Sequence, residues 1–328
     1  MMQKDPNASR QKRKQSLFSF AGRIFSRRVV LAAALLSVII MFSAWQLIDY
    51  TTDYVASQNA SDELRDVYYD NSGAQATADA SFAPPPTITP QPADSAQATI
   101  MAAPTATPGT LPAYSYPGNP FGTISSRFLE LRKISKDIVG WIAIDGVLDE
   151  AVVQRDNIYY MNHDYHGREN VNGALFLDEF TDLHTRPYTL TVYGHNMRSG
   201  AMFGYLTRYE STDFYMEHPF ITFDTMYEEG RYVIFSVSTL SLKPQDNHFF
   251  DFGEVDSTSV AQRSRAIRQL QSSSIFTTAI DVRPDDQLLL LVTCVENDNE
   301  RRIIAARRLR PDETEAALLP LILGAQLQ

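Results

Sequence analysis

The stretch that decides the fold runs from Leu288 to Leu309 and reads LLLLVTC at 288–294, VENDNER at 295–301 and RIIAARRL at 302–309. Two apolar or β-branched runs of strand length flank a polar, turn-like segment, and this pattern predicts an antiparallel hairpin. If the hairpin is symmetric about Asp298, Cys294 faces Arg302, whereas a shift of one residue presents Arg301. The hairpin thus brings an arginine next to the single cysteine of the chain.

Cys294 is a candidate nucleophile because of this neighbour. A thiol reacts as its thiolate, which a nearby cation favours and which a base can generate. An arginine beside a reacting carbonyl also stabilises the developing oxyanion. The alternative is that Cys294 is only a buried strand residue, so an active site requires a histidine as well.

His195 differs from the other five histidines because it ends the strand-like run at 188–194 and precedes NMRSGAMF. At such a point a barrel strand would bring a side chain to its rim. The remaining five lie in polar, loop-like contexts that favour a solvated imidazole. They are His163, His166, His184, His218 and His248. The pattern alone leaves a structural role for His195 open.

The charge of the chain is unevenly distributed. The formal net charge is −10, but residues 1–28 carry eight Lys and Arg against Asp5, a balance of +7, which leaves −17 for the remainder. The acidic body argues against nucleic acid as a partner, since phosphate binding needs clustered Lys and Arg. A single cysteine excludes an intrachain disulfide.

Residues 29–48 form a run of twenty residues without charge, preceded by Arg27 and Arg28. This is the length of a membrane-spanning helix, and the basic flank predicts a cytoplasmic tail at 1–28 and an extracellular body. A cleaved signal peptide is the alternative, but the run is long for one and lacks a clear cleavage site. We therefore expect a single-pass membrane protein.

Residues 49–120 are predicted to separate the anchor from the folded part. Residues 49–70 read as a polar, helix-compatible stalk, and residues 71–120 contain ten of the seventeen prolines. Such a composition is typical of an extended spacer. The folded domain is expected at 121–328.

Within 121–328 the patterns predict many short strands and few helices. An amphipathic helix around Ile124–Ile134 precedes a strand at Ile138–Ile144, and a second helix is predicted at Ser257–Leu270. Further strands are predicted at Ala151–Gln154, Gly173–Leu177, Tyr188–Gly194, Tyr232–Ser238, Gln287–Cys294 and Arg302–Leu309. This organisation favours a closed β-barrel or a sandwich.

Several motifs, in this order, resemble those of class B sortases. VYGHNMRSGAMF at 192–203 and LVTC at 291–294, followed by an arginine eight residues after the cysteine, carry the resemblance. DIVGWIAI at 137–144, VQRDNIYY at 153–160, GALFLD at 173–178 and RIIAAR at 302–307 extend it over residues 121–310.

The resemblance implies an eight-stranded β-barrel with an N-terminal helical extension and an added helix before the cysteine strand. It implies a cysteine transpeptidase on the surface of a Gram-positive bacterium, with Cys294 as nucleophile, His195 as general acid/base and Arg302 as the oxyanion-stabilising group. Thr293, Val292 and Asn196 are expected to contact substrate. Neither a metal nor an organic cofactor is implied.

The implied reaction cleaves a sorting signal on a surface protein or pilin through a thioacyl enzyme. It then transfers the acyl group to an amine of a peptidoglycan precursor or a lysine. A peptidase that uses water and a non-catalytic binding or pilus-assembly module are the alternatives. Two departures from the family pattern, Val292 and Glu296, motivate the last. Asp178 matches by pattern only, and a turn role is favoured over membership of a triad.

Overall fold

A computed structural model describes residues 27–70, 122–294 and 299–327, which form parts of two compact units at 1–52 and 53–328. The first described helix, α1, spans Arg27–Asp70. Its apolar part in the first unit exposes large side chains such as Leu36 and Phe42. By length and composition α1 is the one described helix that could cross a membrane. The predicted anchor at 29–48 lies within it.

The second unit is built on a closed eight-stranded barrel. Its strands are β1 Ile138–Ile144, β2 Leu148–Val153, β3 Leu175–Leu177, β4 Thr189–Tyr193, β5 Phe220–Thr225, β6 Arg231–Ser241, β8 Leu288–Cys294 and β9 Glu300–Arg308. They pair around the barrel in the order β1-β2-β3-β4-β8-β9-β6-β5, and a short pair, β7 Phe276–Thr277 and β10 Gln326–Leu327, lies outside it. The predicted barrel is confirmed, although β5 had no sequence prediction.

The apolar runs become strands because they fill one continuous core. All of Leu288–Leu291 in β8 and Ile303–Ala306 in β9 are fully buried. Strands buried on both faces are apolar throughout rather than alternating, and this explains the uninterrupted runs in the sequence. Strands β4 and β8 are neighbours in the barrel and pair in parallel, so both end at the same edge of it.

Short helices cover the barrel. The predicted amphipathic helix is α2, Ser126–Ile134, and the predicted helix before the cysteine strand is α5, Val260–Ser272. Three further helices were not predicted: α3 Thr212–Glu217, α4 Phe252–Val255 and α6 Glu315–Ile322.

The second half of α1 differs from its predicted role as part of a stalk. Asp53–Asp70 belongs to the barrel unit, and Leu64 and Tyr68 are buried in its core. The ring of Tyr68 stacks on Trp141 of β1 at 4.3 Å between centroids. The compact unit that contains the barrel therefore begins at Asp53, ahead of the start near residue 121 that the sequence predicts, because part of α1 completes its core.

Polar contacts fix this part of α1 on β2. Ser61 Oγ donates to Glu150 Oε2 at 2.6 Å, and Arg65 Nε donates to Asp149 Oδ2 at 2.9 Å. Glu150 also accepts a hydrogen bond from Tyr165 at 3.2 Å. Burial raises the pKa of Glu150 to about 7, although Ser61, Arg65 and Tyr165 oppose that rise. Asp149 adds to it.

The raised pKa of Glu150 predicts a loss of stability as the pH rises. Because the folded protein holds this proton more tightly than the unfolded chain, the contribution of Glu150 is fully present below about pH 4.5 and is lost as pH rises through about 7. Glu150→Gln should remove this dependence, since it keeps a hydrogen-bonding side chain without the charge. Thermal unfolding measures this dependence: from pH 5 to pH 8, the Tm of the wild type should fall further than that of Glu150→Gln. Equal decreases would contradict the assignment.

Candidate active site

His195 lies two residues beyond the end of β4, and Cys294 is the last residue of β8. The two strands run in parallel, with Tyr193 paired to Val292. Residues 195 and 294 are therefore each two positions beyond the same pair, at one edge of the barrel. The backbone of Cys294 is described, but its side chain lies outside the described part. The topology thus brings the predicted nucleophile and base to adjacent strand ends.

Thr293 ties these two strand ends together. Its hydroxyl donates to the carbonyl of Gly194 at 2.7 Å, and the Gly194 N–H donates to the carbonyl of Val292 at 3.2 Å. A side chain at 194 is excluded, because a Cβ would lie 2.4 Å from Leu175 Cδ2 and 2.8 Å from the Phe203 ring. These contacts fix the backbone immediately before His195.

The imidazole of His195 is partly buried and is held by a neighbouring loop. Its Nε2 lies 2.5 Å from the carbonyl oxygen of Met161. Since a carbonyl only accepts hydrogen bonds, Nε2 carries the proton in this arrangement, and in the neutral ring Nδ1 then has the lone pair. Met161 ends a short 3-10 helix at Tyr159–Met161.

The predicted pairing of Cys294 with Arg302 is wrong by one residue. In the β8–β9 ladder Cys294 is opposite Arg301, and Arg302 is opposite Thr293. Paired residues share a face of the sheet and successive residues alternate. Arg301 is therefore on the same face of the sheet as position 294, and Arg302 is on the opposite face. The paired positions of this ladder sum to 595, as for Cys294 and Arg301, whereas symmetry about residue 298 would require 596.

The side chain of Arg302 is instead mostly buried and paired with a carboxylate. Its side chain is only 11% exposed, and its Nη2 forms an ion pair with Glu210 Oε1 at 2.5 Å. Its Nη1 is buried without a hydrogen-bond acceptor among the described residues. This arginine is thus held at the Glu210 end of a 3-10 helix, Gly204–Glu210.

Arg301 and His195 line one cavity of about 310 Å³ on the edge where β4 and β8 end. The other lining residues are mostly apolar: Asn157, Met161, Phe176, Tyr193, Gly194, Leu242, Phe252, Val292 and Thr293. An apolar cavity with a few convergent polar groups is the usual form of a small-ligand or peptide site.

Asp178 organises the polar wall of this cavity. Its Oδ2 accepts hydrogen bonds from Asn157 at 3.0 Å and from the Tyr193 hydroxyl at 3.2 Å, while Oδ1 accepts from the Phe180 N–H. Burial, followed by the negative charge of Asp178, raises the pKa of Tyr193, which keeps this phenol protonated. These contacts agree with the turn role expected for Asp178.

The three predicted substrate-contacting residues have different positions. Val292 and Thr293 line the cavity that Arg301 lines, whereas Asn196 lines a second cavity, which His195 also borders. Glu296 lies outside the described residues. Asn157 and Met161 were not predicted as site residues, although Asn157 lies inside a motif that carried the family resemblance. Leu242 and Phe252 had no sequence signal.

The described residues contain no cluster of three or more His, Cys, Asp or Glu side chains that could hold a metal. This edge of the barrel brings together the His195 imidazole, the Arg301 guanidinium and the strand position of Cys294. This set can carry out acid/base and nucleophilic chemistry without a Lewis acid.

The sequence matches the Sortase domain family over residues 144–309, slightly more than half of the chain. The protein therefore belongs to the sortase family, whose members are cysteine transpeptidases. Its relatives are class B sortases, and it is a member of that class. Sortase B of Listeria monocytogenes is 29% identical over 191 residues, 55% of this chain and 72% of the relative. Sortase B of Staphylococcus aureus is 27% identical over 190 residues, 57% of this chain and 75% of the relative.

Solved structures agree with the fold. A crystal structure of sortase B from Bacillus anthracis has a TM-score of 0.57 at 22% identity and covers 79% of this chain and 99% of that chain. A Staphylococcus aureus sortase B–substrate complex has a TM-score of 0.50 at 26% identity and covers 58% of this chain and 88% of that chain.

Proposed function

We propose that this protein cleaves a sorting signal through a thioacyl intermediate on Cys294 and transfers the acyl group to an amine. The observation that carries the proposal is the strand register, in which parallel β4 and β8 end together and β9 sets Arg301 opposite Cys294. Cys294 is the nucleophile, His195 the general acid/base and Arg301, rather than Arg302, the group that stabilises the oxyanion.

In the first half-reaction His195 takes the thiol proton and the Cys294 sulfur attacks the scissile carbonyl. A C–S bond forms, and the carbonyl oxygen becomes an oxyanion for which Arg301 supplies charge and N–H donors. Collapse of this intermediate breaks the C–N bond. His195 returns its proton to the leaving amine, a contribution of about 10²- to 10⁴-fold for well-positioned acid/base groups.

In the second half-reaction an incoming amine attacks the thioacyl carbonyl. The new C–N bond forms, His195 accepts the amine proton, and collapse breaks the C–S bond to release the Cys294 thiolate. Water in place of the amine gives hydrolysis, which is the peptidase alternative. The chemistry of the two halves is symmetrical, so one histidine serves both.

The apolar cavity beside Arg301 supports a peptide as the acyl donor. Phe176, Met161 and Val292 provide apolar surface, and Asn157 provides an amide fixed by Asp178. Two solved structures give this view a precedent: one holds a Staphylococcus aureus sortase B with its substrate, and another holds a sortase B with triglycine. We infer that the donor here is a surface protein or pilin and the acceptor an amine of a peptidoglycan precursor or a lysine.

We further infer that α1 anchors the protein in the membrane, with a cytoplasmic N-terminus and an extracellular barrel. The basic residues before the apolar run support this orientation. The sorting reaction suits a cell-surface location.

Mass spectrometry of the full chain, purified in detergent and incubated with a panel of sorting-signal peptides, tests the mechanism. We expect one peptide to leave an acyl adduct on Cys294 that disappears when an amine is added and is absent in Cys294→Ala. An adduct that only water resolves would favour a peptidase. The absence of any adduct, together with a thiol that resists alkylation, would favour the non-catalytic module.

A further inference from the structure

A second cavity, of about 570 Å³, is lined by His195 and by the residues that follow it in the chain. Its described lining consists of His195, Asn196, Met197, Arg198, Ser199, Gly200, Gly204, Tyr205, Thr207 and Arg208. We call it the acceptor groove. Of the described residues, His195 is the one that lines both cavities. The proposed general acid/base therefore borders two cavities, one mostly apolar and one polar.

The charge of the acceptor groove contrasts with that of the whole chain. Two arginines, Arg198 and Arg208, line it, and no Asp or Glu is among its described lining residues. Neither guanidinium forms an ion pair or donates a hydrogen bond within the described part of the protein. Arg208 also lines a neighbouring cavity with Asp149 and Glu150, but these carboxylates bind Arg65, Ser61 and Tyr165. In a chain of net charge −10, two cations without an ion pair among the described residues, beside the proposed general acid/base, point to an anionic ligand.

Local packing holds the groove open and orients one of these cations. The guanidinium of Arg208 lies over the Phe214 ring, 4.2 Å from its centroid, which leaves the edge of the guanidinium for other partners. Gly200 has a φ of +85°, and a Cβ there would lie 2.5 Å from the Tyr205 ring. Glycine is therefore required where Tyr205 packs on the loop that carries Arg198.

We propose that Arg198 and Arg208 bind carboxylate or phosphate groups on the molecule that carries the acceptor amine. A guanidinium recognises both anions with paired hydrogen bonds. An amine held by such contacts approaches the thioacyl carbonyl from the side of His195 that the acyl donor does not occupy. Asn196, predicted as a substrate contact, would then serve the acceptor rather than the sorting signal. This proposal rests on the proposed transpeptidation.

Calorimetry on full-length Cys294→Ala in detergent tests binding without turnover. Three amines serve as probes: triglycine amide, which has no anionic group, a triglycyl peptide that ends in two glutamates, and a triglycyl diphosphate ester. We expect at least one anionic probe to bind more tightly than the amide, and Arg198→Gln/Arg208→Gln to weaken it about tenfold. The preferred anion distinguishes a carboxylate-bearing from a phosphate-bearing acceptor. Equal binding of all three probes would overturn the proposal.

Transfer kinetics give a second readout in the enzyme with its cysteine. The ratio of KM for an anionic acceptor to KM for triglycine amide should rise about tenfold in Arg198→Gln/Arg208→Gln, and a general loss of turnover cancels from this ratio. Arg265→Gln/Arg268→Gln on α5 makes the same change in net charge on an exposed surface outside the groove and should leave the ratio unchanged. An unchanged ratio in the groove variant, or an equal rise in both variants, would reject a specific anion site.

The two proposals fail in different ways. If no peptide forms an adduct on Cys294, transpeptidation fails, while the calorimetry still reports whether the groove selects anions. If adducts form and resolve but the anionic probes show no preference, the groove proposal fails alone.

Discussion

Replacing Arg301 by Lys is expected to lower kcat/KM for acylation of Cys294 about 10²- to 10³-fold, the usual effect of removing one oxyanion-stabilising donor. An ammonium keeps the charge but cannot reproduce the planar set of N–H donors. Mass spectrometry measures the change as the rate of adduct formation at a saturating and at a limiting concentration of the sorting peptide.

Arg302→Lys is the matched control for Arg301→Lys. The two residues are adjacent in β9, but Arg302 pairs with Thr293 and its side chain binds Glu210. A lysine there keeps an ion pair with Glu210, so we expect acylation to fall by less than about tenfold, with the main effect on stability. A severe loss in Arg302→Lys with near-normal Arg301→Lys would reverse the assignment and restore the pairing predicted from the sequence.

Leu64→Ala is expected to lower the free energy of unfolding by about 2–5 kcal/mol, the range for removing a fully buried leucine side chain. Leu64 lies in α1, is 0% exposed and belongs to the core of the barrel unit. Urea denaturation of the full chain in detergent, followed by tryptophan fluorescence, measures the change, because Trp141 packs against the same part of α1.

Asp66→Ala, two residues further along the same helix, is the control for Leu64→Ala. Asp66 is exposed, so its replacement should change the stability by no more than about 0.5 kcal/mol. If residues 53–70 formed an independent stalk, both variants would leave barrel unfolding unchanged.

The barrel could be predicted from the sequence, and His195 could be selected as the candidate base, because their signals are local. Short apolar runs at regular spacing specify strands, and His195 stands directly after one of them. The same motifs carried the family resemblance, and the family match and the eight-stranded barrel both agree with it. β5 was missed because Phe220–Thr225 reads FITFDT, a short segment without regular alternation of apolar and polar residues, and it follows a helix.

Two predictions differ from the structure because each depended on distant contacts. The predicted pairing of Cys294 with Arg302 required the register of a hairpin, and a shift of one residue exchanges the two faces of a strand. The stalk assignment rested on composition, since residues 53–70 are rich in polar side chains. Their partners, among them Asp149 and Asp224, lie about 80 to 160 positions away in the chain.

The sequence by itself determined the class of fold and singled out Cys294 and His195 as candidate nucleophile and base, because strand periodicity and short motifs are properties of neighbouring residues. Only the tertiary structure decided which arginine is opposite Cys294, whether Ser61 and Tyr68 are solvated or buried, and that His195 lines two cavities. The physical reason is that pairing register, burial and cavity walls depend on residues brought together from different parts of the chain.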